Sequence, residues 1–395
     1  MVLYRWDDGE GFYPDFVVAM TQRDVHGHIA LLEVKGAHLW GAAGGRKSGC
    51  GPSGVWPGVY RGQTARRAGV PSLAGIRASS GNRRRFHIRS VTSRMSYHDY
   101  PFLSQCFEVR PGIRMRYLDE GPRDAAVVVM LHGNPSWSYY WRHLVAALRD
   151  GYRCIVPDHI GMGLSDKPGD APGVVPRYDY TLQSRVDDLD ALLRHVGIDD
   201  VTPLTLAVHD WGGMIGFGWA LAHAVQVRRL VITNTAVFPM PMSKKMPWQI
   251  ALGRDWRFGE WMVRGLNAFA LGAAWLGVET RLPRAVRRAY LAPYNSWANR
   301  ISIIRFMQDI PCAPGDRAWP LLEAAGKALP NFADRPAFIG WGMQDIVFDH
   351  HFLDEFCAAL PGAQVQVFDD AGHYVLEDKS SVLVPAIRVF LDAHP

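Results

Sequence analysis

From residue 125 onward the chain alternates short, continuous apolar runs with stretches whose apolar residues recur at helical spacing. The runs at 125–131 (Ala-Ala-Val-Val-Val-Met-Leu), 153–156, 204–208, 230–234, 337–342 and 365–368 read as strands buried on both faces. Between them come helical patterns. One starts near Ser138 and carries Tyr140, Leu144, Val145 and Leu148 on one side. Another follows Thr181, an expected N-cap, with Val186, Leu189, Leu192 and Leu193. Further helices are expected at 214–223, 352–360 and 382–391. Ahead of this series, 107–110 and 114–118 flank Pro111-Gly112 and read as an antiparallel hairpin at the sheet edge. Strands alternating with helices predict a mostly parallel sheet covered on both faces, with eight strands in all. The alternation stops at 236–330, a block rich in Trp, Met, Phe, Leu and Arg with helical periodicity. It predicts a helical lid over the strands' C-terminal ends, where such sheets bind ligands.

Charge divides the chain differently. Residues 1–94 hold 14 Lys and Arg against 6 Asp and Glu, whereas 95–395 hold 29 against 32. The net charge of +5 therefore comes from the N-terminal quarter, and the body offers no basic surface for nucleic acid. Within 51–94 there are nine Arg and no acid, amid Gly, Ser and Pro, a composition that cannot bury a core. Near the start, Tyr-Pro-Asp-Phe-Val-Val at 13–18 and Ile-Ala-Leu-Leu-Glu-Val-Lys at 29–35 place Asp15, Glu33 and Lys35 as in the PD…(D/E)xK core of metal-dependent nucleases, which this stretch resembles. That fold needs more strands and helices than this region has room for. Residues 1–94 are expected to be a disordered or spurious extension, and Met95 a plausible start of the folded body. Five scattered cysteines, none in a CxxC pair, signal neither a disulfide framework nor a zinc site and fit a reducing cytoplasm. No signal peptide or transmembrane segment is read. The greasiest stretch, 268–278, is too short to cross a bilayer and reads as a buried or interfacial helix.

The candidate chemistry centres on 204–213, Leu-Thr-Leu-Ala-Val-His-Asp-Trp-Gly-Gly: a strand, a sharp corner and the start of a helix. Asp210 stands at the corner, where the nucleophile-elbow motif has Ser. On its own Asp210 reads equally as a helix cap. Two further residues at strand ends change that. Asp345 follows the strand at 337–342, and His373 follows the last strand, in Asp-Ala-Gly-His-Tyr. Nucleophile, acid, His is the order of the α/β-hydrolase triad. A carboxylate is already ionised at neutral pH and can displace a leaving group at a saturated carbon, forming an ester. His373, oriented by Asp345, would then activate water. Backbone N–H groups of Asn134 and Trp211 are expected to hold the oxyanion. The Trp211 indole and the Asn134 amide would receive the leaving anion without adding charge. No metal or cofactor is called for.

These residues carry a family resemblance. His-Gly-Asn-Pro-Ser-Trp-Ser at 132–138, Val-His-Asp-Trp-Gly-Gly at 208–213 and Asp-Ala-Gly-His at 370–373 resemble the haloalkane dehalogenases. The acid at Asp345 resembles the subgroups with Asp there, while Asn234-Thr235 occupies the place where another subgroup has Glu. The runs at 154–167, 245–253 and 299–309 are similar to the β-lactone decarboxylases of bacterial long-chain olefin biosynthesis, which share this catalytic set. The likeness spans 95–395 and leaves out 1–94. It implies an α/β-hydrolase core at 95–237 and 319–395 with a lid at 238–318. It also implies a hydrophobic substrate with two alkyl chains on a four-membered lactone, a cis-alkene and CO2 as products, and other olefin-biosynthesis enzymes as partners in an assembly. Dehalogenation is the alternative. An epoxide hydrolase would use lid tyrosines, for which Tyr290 and Tyr294 are candidates, and a catalytically inert scaffold would not need the intact triad. Phe238, Met240, Met242, Met246, Trp248, Phe269, Leu271, Trp275 and Leu276 are expected to line the pocket, and Arg281, Arg284, Arg287 and Arg288 to form a solvated helix face.

Overall fold

The computed structural model describes residues 97–395, apart from Met242 and Arg257, together with the backbone of two strands nearer the N-terminus. Those strands, β1 (Phe16–Thr21) and β2 (Ile29–Val34), pair antiparallel with Phe16 opposite Val34, within a unit of their own, Met1–Met95. The nuclease-like Asp15 and Lys35, the Glu33 side chain and the Arg-rich stretch lie outside the described residues.

The second unit, Ser96–Pro395, holds an eight-stranded sheet. Its strands are β3 (Gln105–Arg110), β4 (Ile113–Glu120), β5 (Val127–Leu131), β6 (Arg153–Asp158), β7 (Leu204–Asp210), β8 (Val227–Thr235), β9 (Ala337–Gly342) and β10 (Gln364–Phe368). They lie in the order β10-β9-β8-β7-β5-β6-β4-β3. β5 to β10 are parallel, and β3 and β4 form the antiparallel edge expected from Pro111-Gly112. Every residue of β5, β6, β7 and β9 is buried, which is why those segments read as unbroken apolar runs. β10 is an edge strand and leaves Val365 and Val367 partly in solvent. From β5 the chain goes first to β6 on one side and later to β7 on the other. That reversal opens a crevice beyond the C-terminal ends of β5 and β7, where parallel sheets place their ligands.

Helices α1 (Arg142–Leu148), α2 (Leu182–His195) and α3 (Trp211–His223) follow β5, β6 and β7. Thr181 caps α2 as expected, its hydroxyl accepting from the Ser184 N–H at 2.9 Å. Between β8 and β9 the chain inserts α4 (Trp248–Asp255), a π turn (Trp261–Gly265), α5 (Ala268–Leu276), α6 (Arg284–Leu291), α7 (Ile301–Gln308) and α8 (Trp319–Ala328). After β9 come α9 (His350–Ala359), β10, α10 (Val375–Asp378) and α11 (Ser380–Ala393). Among the described residues no helix is long and apolar enough to cross a membrane.

The insert is fastened to the segment after β10 by polar contacts. The Tyr374 N–H donates to the Gly277 carbonyl at 2.7 Å. The Asp378 carboxylate accepts from the N–H groups of Glu279, Thr280 and Gly372. Tyr290 of α6 donates to Glu377, which also takes a two-point contact from the buried guanidinium of Arg142 in α1. Three separate parts of the chain thus meet at one buried carboxylate. Arg142→Met strands that carboxylate beside a single phenol, and should lower the unfolding free energy by about 3–5 kcal/mol, measured by urea denaturation.

Candidate active site

Asp210 ends β7 and begins the turn into α3 with φ 51° and ψ −127°, a strained conformation for a residue with a Cβ. The strain is held by close packing beneath it. A Cβ on Gly212 would overlap the Leu131 carbonyl oxygen at the end of β5, so the elbow can sit against β5 only with glycine there. The Asp210 side chain makes no capping bond to α3, so the helix-cap reading is overturned. Its carboxylate turns instead toward the loop after β5. Oδ1 accepts from the Asn134 backbone N–H at 2.6 Å, and the neighbouring Trp211 backbone N–H also favours the charged carboxylate. Oδ2 faces His373, with 3.7 Å to Nε2. The two oxygens thus differ in their surroundings: Oδ1 is held by the backbone of the loop after β5, and Oδ2 faces the imidazole.

His373 lies in the loop after β10, and its Nδ1 is 2.7 Å from Oδ2 of the buried Asp345. Asp345 Oδ1 accepts the Val347 N–H at 2.8 Å. Asp345 Oδ2 also accepts from the Asn234 side-chain amide at 3.1 Å. Asn234 is fixed in turn by Gly342, donating to its carbonyl and accepting from its N–H, both at 2.9 Å. The sequence marked Asn234 only as the position of a missing Glu. The structure makes it the strut between the ends of β8 and β9. A second residue escaped notice. His209, one position before the elbow, is buried with its ring stacked 4.1 Å from Tyr140 and 4.6 Å from His373. Burial pushes its pKa well below 6.5, so it stays neutral and puts no competing cation beside His373.

Burial works against the charge of all three triad groups, and their contacts decide the outcome. In Asp210 burial wins: its pKa is raised above 3.8 despite His373 and the two backbone donors. In Asp345 the charge and hydrogen bond of His373 together with the backbone donors outweigh burial, and its pKa is lowered. In His373 burial is outweighed by Asp345 and Asp210, so its pKa lies above 6.5. The acid next to the imidazole is thus the better anion, as orientation of a catalytic base requires.

The triad opens into a cavity of about 330 Å³ whose wall is mostly apolar. Asn134, Asp210, Trp211 and His373 all contribute to it. The Trp211 indole N–H has no acceptor among the described residues. The Asn134 amide donates to the Ile303 carbonyl at 3.0 Å, which leaves its second N–H uncommitted. Six of the nine expected pocket residues line the cavity: Phe238, Met240, Met246, Trp248, Phe269 and Leu276. Leu271 and Trp275 do not. They lie on the outer face of α5, because a helix can turn only one side to a cavity. Met242 lies outside the described residues. Tyr290 and Tyr294 are buried away from the cavity, bonded to Glu377 and to the Ser136 carbonyl, so neither can protonate an epoxide there. Asp349, His350 and His351 bring possible metal-ligand atoms within 4.8 Å of one another, but Asp349 is already paired with Lys244 at 2.6 Å.

A buried elbow carboxylate, a His–Asp pair and an inserted helical cover over a parallel sheet define an α/β-hydrolase-type enzyme site. The family model described as alpha/beta hydrolase fold matches residues 126–380. Over 301 residues the chain is 70% identical to the cis-3-alkyl-4-alkyloxetan-2-one decarboxylase of Xanthomonas campestris pv. campestris, covering 76% of this chain and 100% of that protein. It is 49% identical to the protein of the same name from Shewanella oneidensis, covering 72% and 87%. A haloalkane dehalogenase of Mycolicibacterium paratuberculosis is 32% identical over 76% of this chain and 96% of its own length. The crystal structure of the haloalkane dehalogenase DbeA from Bradyrhizobium elkani superposes with a TM-score of 0.64 at 26% identity, over 74% of this chain and 99% of that one. The chain belongs to the alpha/beta hydrolase family, among relatives named cis-3-alkyl-4-alkyloxetan-2-one decarboxylases.

Two outcomes follow from this geometry. Chemistry that needs only the Asp210 carboxylate should keep its rate as pH falls until Asp210 protonates, at a value above 3.8. Chemistry that needs neutral His373 should lose rate earlier, as pH falls through a value above 6.5. A pH profile of kcat/KM separates the two. Asn234→Leu removes one donor from Asp345 and should slow any His373-dependent step by about 10–100-fold, read as kcat with the melting temperature as a control.

Proposed function

We propose that this enzyme converts cis-3-alkyl-4-alkyloxetan-2-ones to cis-alkenes and CO2, with Asp210 as nucleophile. The observation that carries the reading is the 70% identity over the full length of the Xanthomonas decarboxylase. The different surroundings of the two Asp210 oxygens support one course for the reaction. Oδ2 attacks the ring carbon that bears the lactone oxygen and the alkyl chain. The C–O bond breaks, and its electron pair leaves as the substrate carboxylate, received by the Trp211 indole N–H and the free N–H of the Asn134 amide. The carboxylate then departs as CO2. The electron pair of the broken C–C bond forms the alkene, and Asp210 is expelled as a carboxylate again. No water is consumed. Inversion at the attacked carbon followed by anti elimination gives net syn loss of CO2, so a cis-lactone yields a cis-alkene.

The alternative first step, attack at the lactone carbonyl, needs backbone donors for the new oxyanion. In this site the Asn134 N–H already holds Asp210 Oδ1, and the Trp211 N–H also favours the charged form of that carboxylate. That favours attack at the alkyl carbon, and it leaves His373 as a charge partner for Asp210 rather than a base. The same geometry would serve haloalkane hydrolysis, in which His373 activates water against the Asp210 ester. The more distant dehalogenase relatives support this second reading. We place the enzyme in the cytoplasm, acting with other enzymes of olefin biosynthesis. The free thiols of Cys106, Cys154, Cys312 and Cys357 fit a reducing compartment.

The test offers purified protein a cis-dialkyl β-lactone and, separately, a 1-haloalkane, and measures alkene and halide. Alkene from the lactone is expected, and halide without alkene would reverse the ranking. Asp210→Ala should abolish turnover. His373→Ala should slow alkene formation by less than about 100-fold, the smallest contribution usual for a general base. A larger loss would favour attack at the carbonyl.

A further inference from the structure

None of the nine positions of α5, Ala-Phe-Ala-Leu-Gly-Ala-Ala-Trp-Leu, carries a polar side chain. A helix that is apolar all round is ordinarily enclosed by protein or by lipid. Protein encloses only part of this one. Ala270 and Ala274 are buried and Phe269 lines the cavity, but Leu271 is 38% exposed and Trp275 47%. Leu276 and Trp248 belong to both worlds: each lines the cavity and each is about 70% exposed. The cavity therefore opens through an apolar rim that continues onto the outer face of α5.

Charge around this rim is mostly positive. Residues 238–300 carry 10 Lys and Arg against 3 Asp and Glu, while the rest of 95–395 carries 19 against 29. Between 261 and 300 the one acid is Glu279. Arg281, Arg284 and Arg288 are exposed, and among the described residues neither they nor Arg287 has a carboxylate within 4.0 Å. The guanidiniums of Arg281 and Arg287 stand 4.9 and 4.1 Å from the Trp275 ring, joining the cationic and apolar parts into one surface. Acyl chains suit Leu271 and Trp275, and phosphates suit the unpaired guanidiniums. An aqueous protein partner explains the charge but not an apolar helix that is also the wall of a cavity for alkyl chains.

We propose that the outer face of α5, flanked by Arg281, Arg284 and Arg288, docks on an anionic lipid surface, and that the rim at Trp248 and Leu276 passes alkyl chains between the acyl layer and the cavity. α5 is about 14 Å long, so it lies in the interface rather than across it. A hydrocarbon product has no headgroup and negligible solubility in water, so a lipid sink at the exit completes each turnover.

The test sediments the full chain with phosphatidylcholine vesicles that lack or contain phosphatidylglycerol. Binding to the anionic vesicles, weakened by salt, is expected. Arg281→Gln, Arg284→Gln and Arg288→Gln together should weaken it by about a hundredfold, at about fivefold per charge. Leu271→Ser with Trp275→Ser should weaken it without lowering the melting temperature. Residues 1–94 are themselves basic, so binding that survives both sets of substitutions would belong to them and overturn the proposal. Failure to sediment would also overturn it, as would a dimer that the Leu271/Trp275 pair converts to monomer, since a second copy would then cover the face. No turnover is measured, so the result is independent of the reaction proposed above.

Discussion

The site depends on two adjacent parallel strands coming close enough to divide one carboxylate between them. β7 delivers Asp210 and β5 delivers Asn134, and the Asn134 backbone N–H reaches Asp210 Oδ1 at 2.6 Å. Glycine at 212 allows that approach, and the strained φ of Asp210 is what it costs. With Oδ1 so held, Oδ2 faces the His373 imidazole at 3.7 Å. The carboxylate is thus oriented by a backbone hydrogen bond, which neither titrates nor changes rotamer.

Around this centre the chain separates burial from charge with some economy. Asp345 is stabilised as an anion by His373 and the backbone, with Asn234 donating beside them, while His209 is kept neutral by burial and by the neighbouring His373. The insert is pinned to the His373 loop through Gly277, Glu377 and Asp378. The contacts that make the cover part of the fold lie on one flank of α5 and α6, and the opposite flank presents Leu271, Trp275 and the arginines outward.

Much of this was legible in the sequence, for a physical reason. Strands buried on both faces must be continuously apolar, so β5, β6, β7 and β9 announced themselves, and a residue at a strand's C-terminal end in such a sheet points to the ligand crevice. Asp210, Asp345 and His373 were found by that rule. The edge strand β10 was also readable, though two of its valines prove half open to solvent. Asn234 and His209 were not recognised, because an Asn or His inside an apolar run has no periodic signature. Their roles arise from neighbours 108 to 164 residues away in the chain.

The lid shows the other limit. Its composition indicated that apolar residues would line a pocket, but not which ones. On α5 every position is apolar, so periodicity could not say which side faces the cavity, and Leu271 and Trp275 were assigned to the wrong face. Tyr290 and Tyr294 looked available to a substrate and are instead spent on Glu377 and the Ser136 carbonyl. The sequence by itself determined which strand ends carry the candidate residues and their order, since both follow from local pattern and chain order. Only the tertiary structure decided that Asp210, Asp345 and His373 meet, which Asp210 oxygen the backbone holds, which N–H groups lack an acceptor and which helix face meets solvent, since each depends on what packs against it from distant parts of the chain.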